Sequence, residues 1–251
     1  MIDVHCHLEQ KDYDKDRDKV IGECQRELKA VITCSTRLKN FDFTIEMHKK
    51  YPNFIFCALG LHPGFIKNIA KEEVNNAISY FEKNKKDIVA IGEIGLDYWW
   101  IKGDMLRKKQ RELFKVLIRE AKKLELPIVV HAREAFEDAI SILEKENAKK
   151  VLMHLFGEKK SLTRVINNSW SISIGPNILR SKASRKIAGD TPIEQIMLET
   201  DSPWFGFGKR NTPLAVKAVA EKIAEIKKIS VEAVKKQTDL NAQRFFGLKI
   251  K

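Results

Sequence analysis

Eight short apolar runs recur along the chain: Ile2–Val4, Ala30–Thr33, Phe54–Cys57, Ile88–Ile91, Ile128–Val130, Val151–Met153, Ser171–Ile174 and Ile196–Leu198. Each has the length of a strand, and most lack polar alternation, as strands buried on both faces require. They recur about every 31 positions, the size of a strand plus a returning helix. The segments between them look helical. Asp104 to Leu124 places Leu106, Leu113, Leu117, Ala121 and Leu124 on one face, with Lys and Arg opposite. Asp104 is expected as its N-cap, and Pro127 blocks continuation. Glu134–Lys145 and Thr212–Lys227 share the pattern, the latter with Pro213 at its first helical position, and a last helix is expected between Ser230 and Gly247. No composition break or polar linker divides the chain. Residues 1–251 are therefore read as one α/β domain, a parallel (β/α)8 TIM barrel ringed by helices. An open doubly wound sheet is the alternative, but the GxGxxG turn that usually follows its first strand is missing.

Composition narrows the function classes. A chain of 251 residues, 43% hydrophobic, buries enough surface to fold without disulfides. Its four cysteines, Cys6, Cys24, Cys34 and Cys57, form no CxxC pair, so reduced thiols in a cytoplasmic protein are expected. The N-terminus lacks the apolar segment of a signal peptide, and no apolar run is long enough for a membrane span. With 46 basic and 34 acidic side chains the net charge is +12, which attracts polyanions, nucleic acid above all. Lys-rich solvated helix faces give the same statistic.

Five of the six histidines, His5, His7, His62, His131 and His154, fall at or just beyond the C-terminal end of an expected strand; His48 does not. In a barrel that edge carries the active site. His5 and His7 alternate with Cys6, so both imidazoles face one side and Cys6 faces the core. Glu93 stands between glycines in Ile91-Gly92-Glu93-Ile94-Gly95-Leu96-Asp97, where a close backbone bend aims it inward. Asp97 is expected in the loop beyond, capping it or supporting a ligand. Asp201 follows the eighth run and closes the ring beside His5 and His7. Each group alone could be structural, but four imidazoles and two carboxylates in one mouth are costly to bury without a cation. The set suits two adjacent divalent ions. His5, His7 and Asp201 would hold one, His131 and His154 the other, with Glu93 bridging. Imidazole and carboxylate donors accept Mg²⁺, Mn²⁺ or Zn²⁺.

Five of these motifs, His5-x-His7, Gly92–Asp97, His131-x-Arg133, His154-x-Phe156 and Glu199-Thr200-Asp201-Ser202-Pro203, together resemble the TatD-like metal-dependent deoxyribonucleases of the amidohydrolase superfamily. Gly60-Leu61-His62-Pro63 and Asn241–Gly247 also fit. The resemblance implies a (β/α)8 barrel, a divalent-metal site from these residues, and DNA hydrolysis. Two stretches depart from the family pattern: His154-Leu155-Phe156-Gly157-Glu158 stands for His-Cys-Phe-Ser-Gly, and Asn211-Thr212-Pro213 for Asn-Glu-Pro. Neither change replaces an expected ligand.

The expected mechanism is in-line attack on phosphorus by a metal-activated water that Asp201 orients or deprotonates, with Arg133 holding a phosphate oxygen. His62 is assigned to substrate contact. Tyr98, Trp99, Trp100, Trp204, Phe205 and Phe207 are expected as stacking platforms for single-stranded bases, which suits 3′→5′ exonuclease action on single-stranded ends. Lys102, Arg180, Lys182, Arg185, Lys209 and Arg210 are candidates to track the backbone. The same machinery could instead cleave an ester or amide such as D-aminoacyl-tRNA, so RNA or tRNA stays open as a partner. A monomer is expected.

Overall fold

The computed structural model describes residues 1–250. Eight strands, β1 (Ile2–Cys6), β2 (Ala30–Ser35), β3 (Ile55–Leu59), β4 (Ala90–Asp97), β5 (Ile128–Arg133), β6 (Val151–Met153), β7 (Ser171–Ile174) and β8 (Ile196–Leu198), alternate with helices. These are α1 (Arg17–Glu27), α2 (Phe41–Lys50), α3 (Lys71–Lys83), α4 (Asp104–Lys123), α5 (Phe136–Lys145), α6 (Leu162–Asn167), α7 (Lys182–Asp190), α8 (Val216–Lys227) and α9 (Val231–Phe246). The strands lie in sequence order and pair in parallel from β1 to β8. The seam between β8 and β1 is joined at its upper edge. Asp201 N–H donates to the carbonyl of His5 at 2.9 Å, and His7 N–H to that of Ser202 at 2.8 Å. The architecture is a nearly closed (β/α)8 barrel, and every apolar run found in the sequence contributes to a strand.

Two apolar layers hold it. Ile2, Val4, Ala30, Ile32, Phe56 and Ala58 belong to an inner cluster that α9 closes from below with Ala242 and Phe246. The intervening strand residues, among them Val31, Ile55, Cys57 and Ile91, pack outward against the helices. Asn241 seats α9 by donating from its side chain to the carbonyls of Ile193 and Ile196, both at 2.8 Å.

Several boundaries differ from expectation. Strand β4 continues through Glu93 to Asp97, so Asp97 ends a strand and is not in a loop. Helix α4 is capped by Gly103, not Asp104; the Asp104 carboxylate lies in the first turn, where it faces the positive end of the helix dipole. Helix α5 begins at Phe136 because Glu134 takes a left-handed backbone, φ 53°. Pro213 opens a single 3₁₀ turn before α8. Helix α9 starts and stops as its sequence predicts: the Ser230 side chain accepts from Ala233 N–H at 3.1 Å, and Gly247 ends it at φ 66°.

Candidate metal centre

Backbone irregularity places the polar groups. Between Asp3 and Cys6, β1 takes three steps where β2 takes two; between Ile91 and Ile94, β4 does the same against β5. Each extra residue is a bulge, and a bulge re-aims the side chains that follow it. Val4 and Ala90 still point into the apolar interior, whereas His5, His7 and Glu93 converge at the mouth. Glycine permits the close approach. A Cβ on Gly60 would sit 2.7 Å from the Glu93 carbonyl oxygen, and one on Gly95, at φ 143°, 2.0 Å from that of His131. Asp201 itself is left-handed, φ 49°, which turns its carboxylate back over β1.

Glu93 is the hub. Its Oε2 lies 3.5 Å from His5 Nε2 and 3.8 Å from His7 Nε2. Its Oε1 lies 2.7 Å from His131 Nδ1 and 3.2 Å from His154 Nε2. Asp201 Oδ1 joins the first set, 3.1 Å from His7 Nε2 and 3.6 Å from His5 Nε2. Two donor groups, each with its atoms within 4.8 Å of one another, therefore share one carboxylate. All six expected ligands meet here, on β1, β4, β5 and the exits of β6 and β8.

The outer partners of the rings fix which nitrogen faces inward. His7 Nδ1 is 2.7 Å from the carbonyl of Cys34, His154 Nδ1 is 3.1 Å from Glu199 Oε2, and His131 Nε2 is 3.0 Å from Asp97 Oδ2. These oxygens accept, so those nitrogens carry the protons, and in the neutral rings the others turn lone pairs on Glu93 or Asp201. Lone pair against carboxylate is repulsive unless a second proton or a cation lies between. The electrostatics agree. Burial opposes charging His154 and His7, yet Glu93 and Glu199 raise His154 well above the usual imidazole range, and Asp201 and Glu9 do so for His7. Burial alone would raise Glu93, but the surrounding imidazoles, His154 and His62 first, hold it well below the usual carboxylate range. A donor set of imidazoles and carboxylates, with no thiolate in it, fits hard or borderline divalent ions.

His62 differs from the other four. Gly64 N–H donates to its Nδ1 at 2.9 Å, so the neutral ring carries its proton on Nε2, which points at Glu93 Oε1 from 3.4 Å. That makes it a donor, not a ligand. His48 donates from Nδ1 to the carbonyl of Ile55 at 2.6 Å, away from the mouth.

The family description "TatD related DNase" matches residues 2–247. The chain belongs to the TatD family. It is 33% identical to the human protein named deoxyribonuclease TATDN3, over 98% of this chain and 94% of that one. It is 36% identical to the Methanocaldococcus jannaschii protein named uncharacterized metal-dependent hydrolase MJ1582, over 98% and 96%. The solved structure of YJJV, a TatD homolog from Escherichia coli, superposes with a TM-score of 0.91 at 24% identity, covering 99% of this chain and 98% of that one; the likeness is one of fold.

Both departures from the TatD pattern lie beside groups that support the centre. Leu155, left-handed at φ 44°, directs its N–H to Glu199 Oε1 at 2.6 Å. Buried Asn211 donates to the carbonyl of Thr200 at 3.2 Å and accepts from Thr212 N–H at 2.9 Å, holding the segment behind Asp201 without a neighbouring carboxylate. Glu199 itself was not singled out from the sequence, although it precedes Asp201 by two residues, the spacing that paired His5 with His7. Asp3 was also missed; it accepts from the Thr200 hydroxyl at 2.6 Å and locks β1 to the β8 exit. The Cys34 carbonyl carries no sequence signal at all.

A cleft of about 970 Å³ opens above the centre, lined by His62, Glu93, Arg133, Asp201 and Trp204 among others. Trp100 is 65% exposed and Trp204 47%, and the Trp204 ring stands 4.8 Å from that of His7. Trp99, Phe205 and Phe207 are exposed as well. Tyr98 is not: its hydroxyl donates to Asp138 at 2.6 Å and accepts from Arg111 at 2.9 Å, tying it into the helix layer. Arg133 stacks on Trp99 and Trp100, 5.0 and 5.7 Å from their ring centres. Three expected backbone-tracking cations have partners within the protein, Lys102 at 3.6 Å from Glu134 among them. Arg210 grips Asp16 through both terminal nitrogens, and Arg185 donates to the carbonyls of Ile178 and Leu179.

Proposed function

We propose that the chain hydrolyses phosphodiester bonds of DNA with two divalent metal ions, taking nucleotides from single-stranded 3′ ends. The division of the Glu93 oxygens between two sets of imidazoles carries this reading. His5, His7 and Asp201 would hold one ion, His131 and His154 the other, and Glu93 both. When bound, such ions neutralise phosphoryl charge and acidify a coordinated water. Asp201, beside His7 and open to the cleft, orients the attacking water and takes its proton. Arg133 holds a non-bridging phosphoryl oxygen by charge-assisted hydrogen bonds, and its stacking on two indoles fixes its approach. His62 donates from Nε2 to another phosphoryl oxygen. Trp204 stacks on a base. Mg²⁺, Mn²⁺ and Zn²⁺ all suit the donors.

Relatives named deoxyribonuclease support phosphorus as the target, so the ester or amide alternative is not favoured. No helix is long and apolar enough to cross a membrane. Four free, buried thiols support the cytoplasm as the compartment, and a ligand set drawn from one chain supports a monomer. The decisive assay incubates the metal-loaded protein with 3′-labelled single-stranded DNA and with D-aminoacyl-tRNA side by side. Metal-dependent release of labelled mononucleotide is the expected result; deacylation without nucleotide release refutes the proposal.

A further inference from the structure

Most arginines of this protein are engaged. Arg17, Arg119, Arg164 and Arg210 pair with carboxylates, and Arg107 and Arg185 donate to carbonyls. Arg37 and Arg133 are exceptions at the cleft. Among the described residues neither guanidinium has a carboxylate within 4.0 Å or donates a hydrogen bond. Both are held by rings instead. The Arg37 guanidinium lies 3.5 Å from the centre of Phe65, just as Arg133 lies over Trp99. Arg37 is half-buried, and its five N–H donors, unmatched by any acceptor of the protein, are open to one from outside.

Its position relative to the metal centre is set by a run of rings. The His131 and His62 rings are 4.4 Å apart, His62 and Phe65 are 5.7 Å apart, and Phe65 carries Arg37. Arg37 is therefore one ring beyond the His62 donor, in the cleft that Arg133, Lys11 and Lys39 also line. Neither lysine has a carboxylate partner among the described residues. The cleft thus carries cations after β1 and β2, and exposed rings after β4, at Trp100, and after β8, at Trp204 and Phe205.

We infer that Arg37 is a second phosphate clamp, one that grips the phosphate next to the scissile one and so makes the enzyme select a nucleotide chain over an isolated phosphodiester. The inference rests on the nuclease reading above and adds to it a residue and a selectivity. A guanidinium flattened on a ring presents its edge, the geometry that meets two phosphate oxygens at once. Bases then stack on the exposed rings while the backbone follows the cations.

The test compares the thymidine dinucleotide, which has one phosphate, with an octathymidylate, in Mn²⁺, for wild type, Arg37→Met and Arg37→Lys. Met keeps an apolar stem over Phe65, and a thermal melt of each variant checks the fold. For Arg37→Met the octamer KM is expected to rise about 10- to 100-fold, the worth of a charge-assisted hydrogen bond, with kcat nearly unchanged. Selectivity for octamer over dinucleotide falls by the same factor, and the salt slope of octamer binding falls by about 0.7. Lys, a point charge without the fork, restores only part. An unchanged octamer KM, or equal losses on both substrates, overturns the clamp. If the wild type cleaves neither substrate, the nuclease reading fails and takes the clamp with it.

Discussion

The two ends of the barrel interior are built from the same strands and hold opposite chemistry. At the floor, Ile2, Val4, Ala30 and Ile32 meet Ala242 and Phe246 of α9 in a dry apolar plug. At the mouth, within a few residues on the same strands, His5, His7, Glu93 and Asp201 are buried just as deeply. Burial at the floor stabilises, at roughly 25 cal/mol per Å² of apolar surface. Burial at the mouth opposes folding, because carboxylates and imidazoles leave water for one another's company. Loss of a side chain at the floor is thus a loss of stability, and loss of one at the mouth a loss of function, provided a cation is what completes the mouth.

Glu93→Gln should separate the two most sharply. It keeps the shape and removes the charge on which both donor sets converge. We expect kcat to fall about a thousandfold, equivalent to several kcal/mol of lost charge stabilisation, with both metals lost by elemental analysis and the melting temperature little changed. Full turnover with metal bound would end the bridging assignment. Phe246→Ala attacks the other end. Truncating a buried aromatic costs roughly 3–5 kcal/mol. Calorimetry should find the melting temperature lower by roughly 10 °C, while kcat of the folded protein stays within about twofold. A large fall in kcat without destabilisation would mean that α9 communicates with the mouth and the ends are not independent.

The floor was far more legible in the sequence than the mouth. Apolar run, helix and cap are local signals, so Ile2–Val4, Ala30–Thr33 and the Ser230-to-Gly247 helix could be read from neighbours in the chain. The bulges in β1 and β4 could not, since a bulge is a relation between two strands and appears only when Asp3 and Cys6 are set against Val31 and Thr33. Ligand types were visible because histidine is rare and five of six stood at strand ends. Of their outer partners only Asp97 was legible: it supports His131 and caps the Trp100 N–H, the two roles its sequence position suggests. Glu199 looks like an ordinary acid until the strands close, and the carbonyl that fixes His7 belongs to Cys34, a residue whose side chain gives no hint of it. Tyr98 shows the same limit: its neighbours Trp99 and Trp100 face solvent, and only the placement of Asp138 and Arg111 turns Tyr98 inward.

Metal addition sharpens the comparison at a smaller scale. A ligand that binds only the folded state stabilises it by mass action, about 2.7 kcal/mol at a hundred times its dissociation constant. Mn²⁺ at that excess should raise the melting temperature of the wild type by roughly 5–10 °C. Phe246→Ala should gain as much, because its mouth is intact, and Glu93→Gln should gain almost nothing. Equal gains in all three would place the stabilising ion somewhere other than the centre, and chelation that left activity untouched would remove the ion from the reaction.

The smallest effect is expected one step out from the ligands. Glu199 receives three donors on two oxygens: His154 through Nδ1 at 3.1 Å, the Ser173 hydroxyl at 2.9 Å and Leu155 N–H at 2.6 Å. Glutamine has the same size but one acceptor oxygen, so Glu199→Gln leaves at least one of these donors unmet and sets its own NH₂ against it. His154 then loses the charge that makes it a strong ligand and, where the NH₂ takes the Oε2 position, the contact that orients it. Supporting partners of this kind are worth about 10- to 100-fold in metal affinity or activity. Competition titration with a metal indicator should show that loss for the ion nearer His154 and little for the one nearer His7. Glu199→Gln with wild-type metal affinity and turnover would show that His154 is held by the surrounding packing alone.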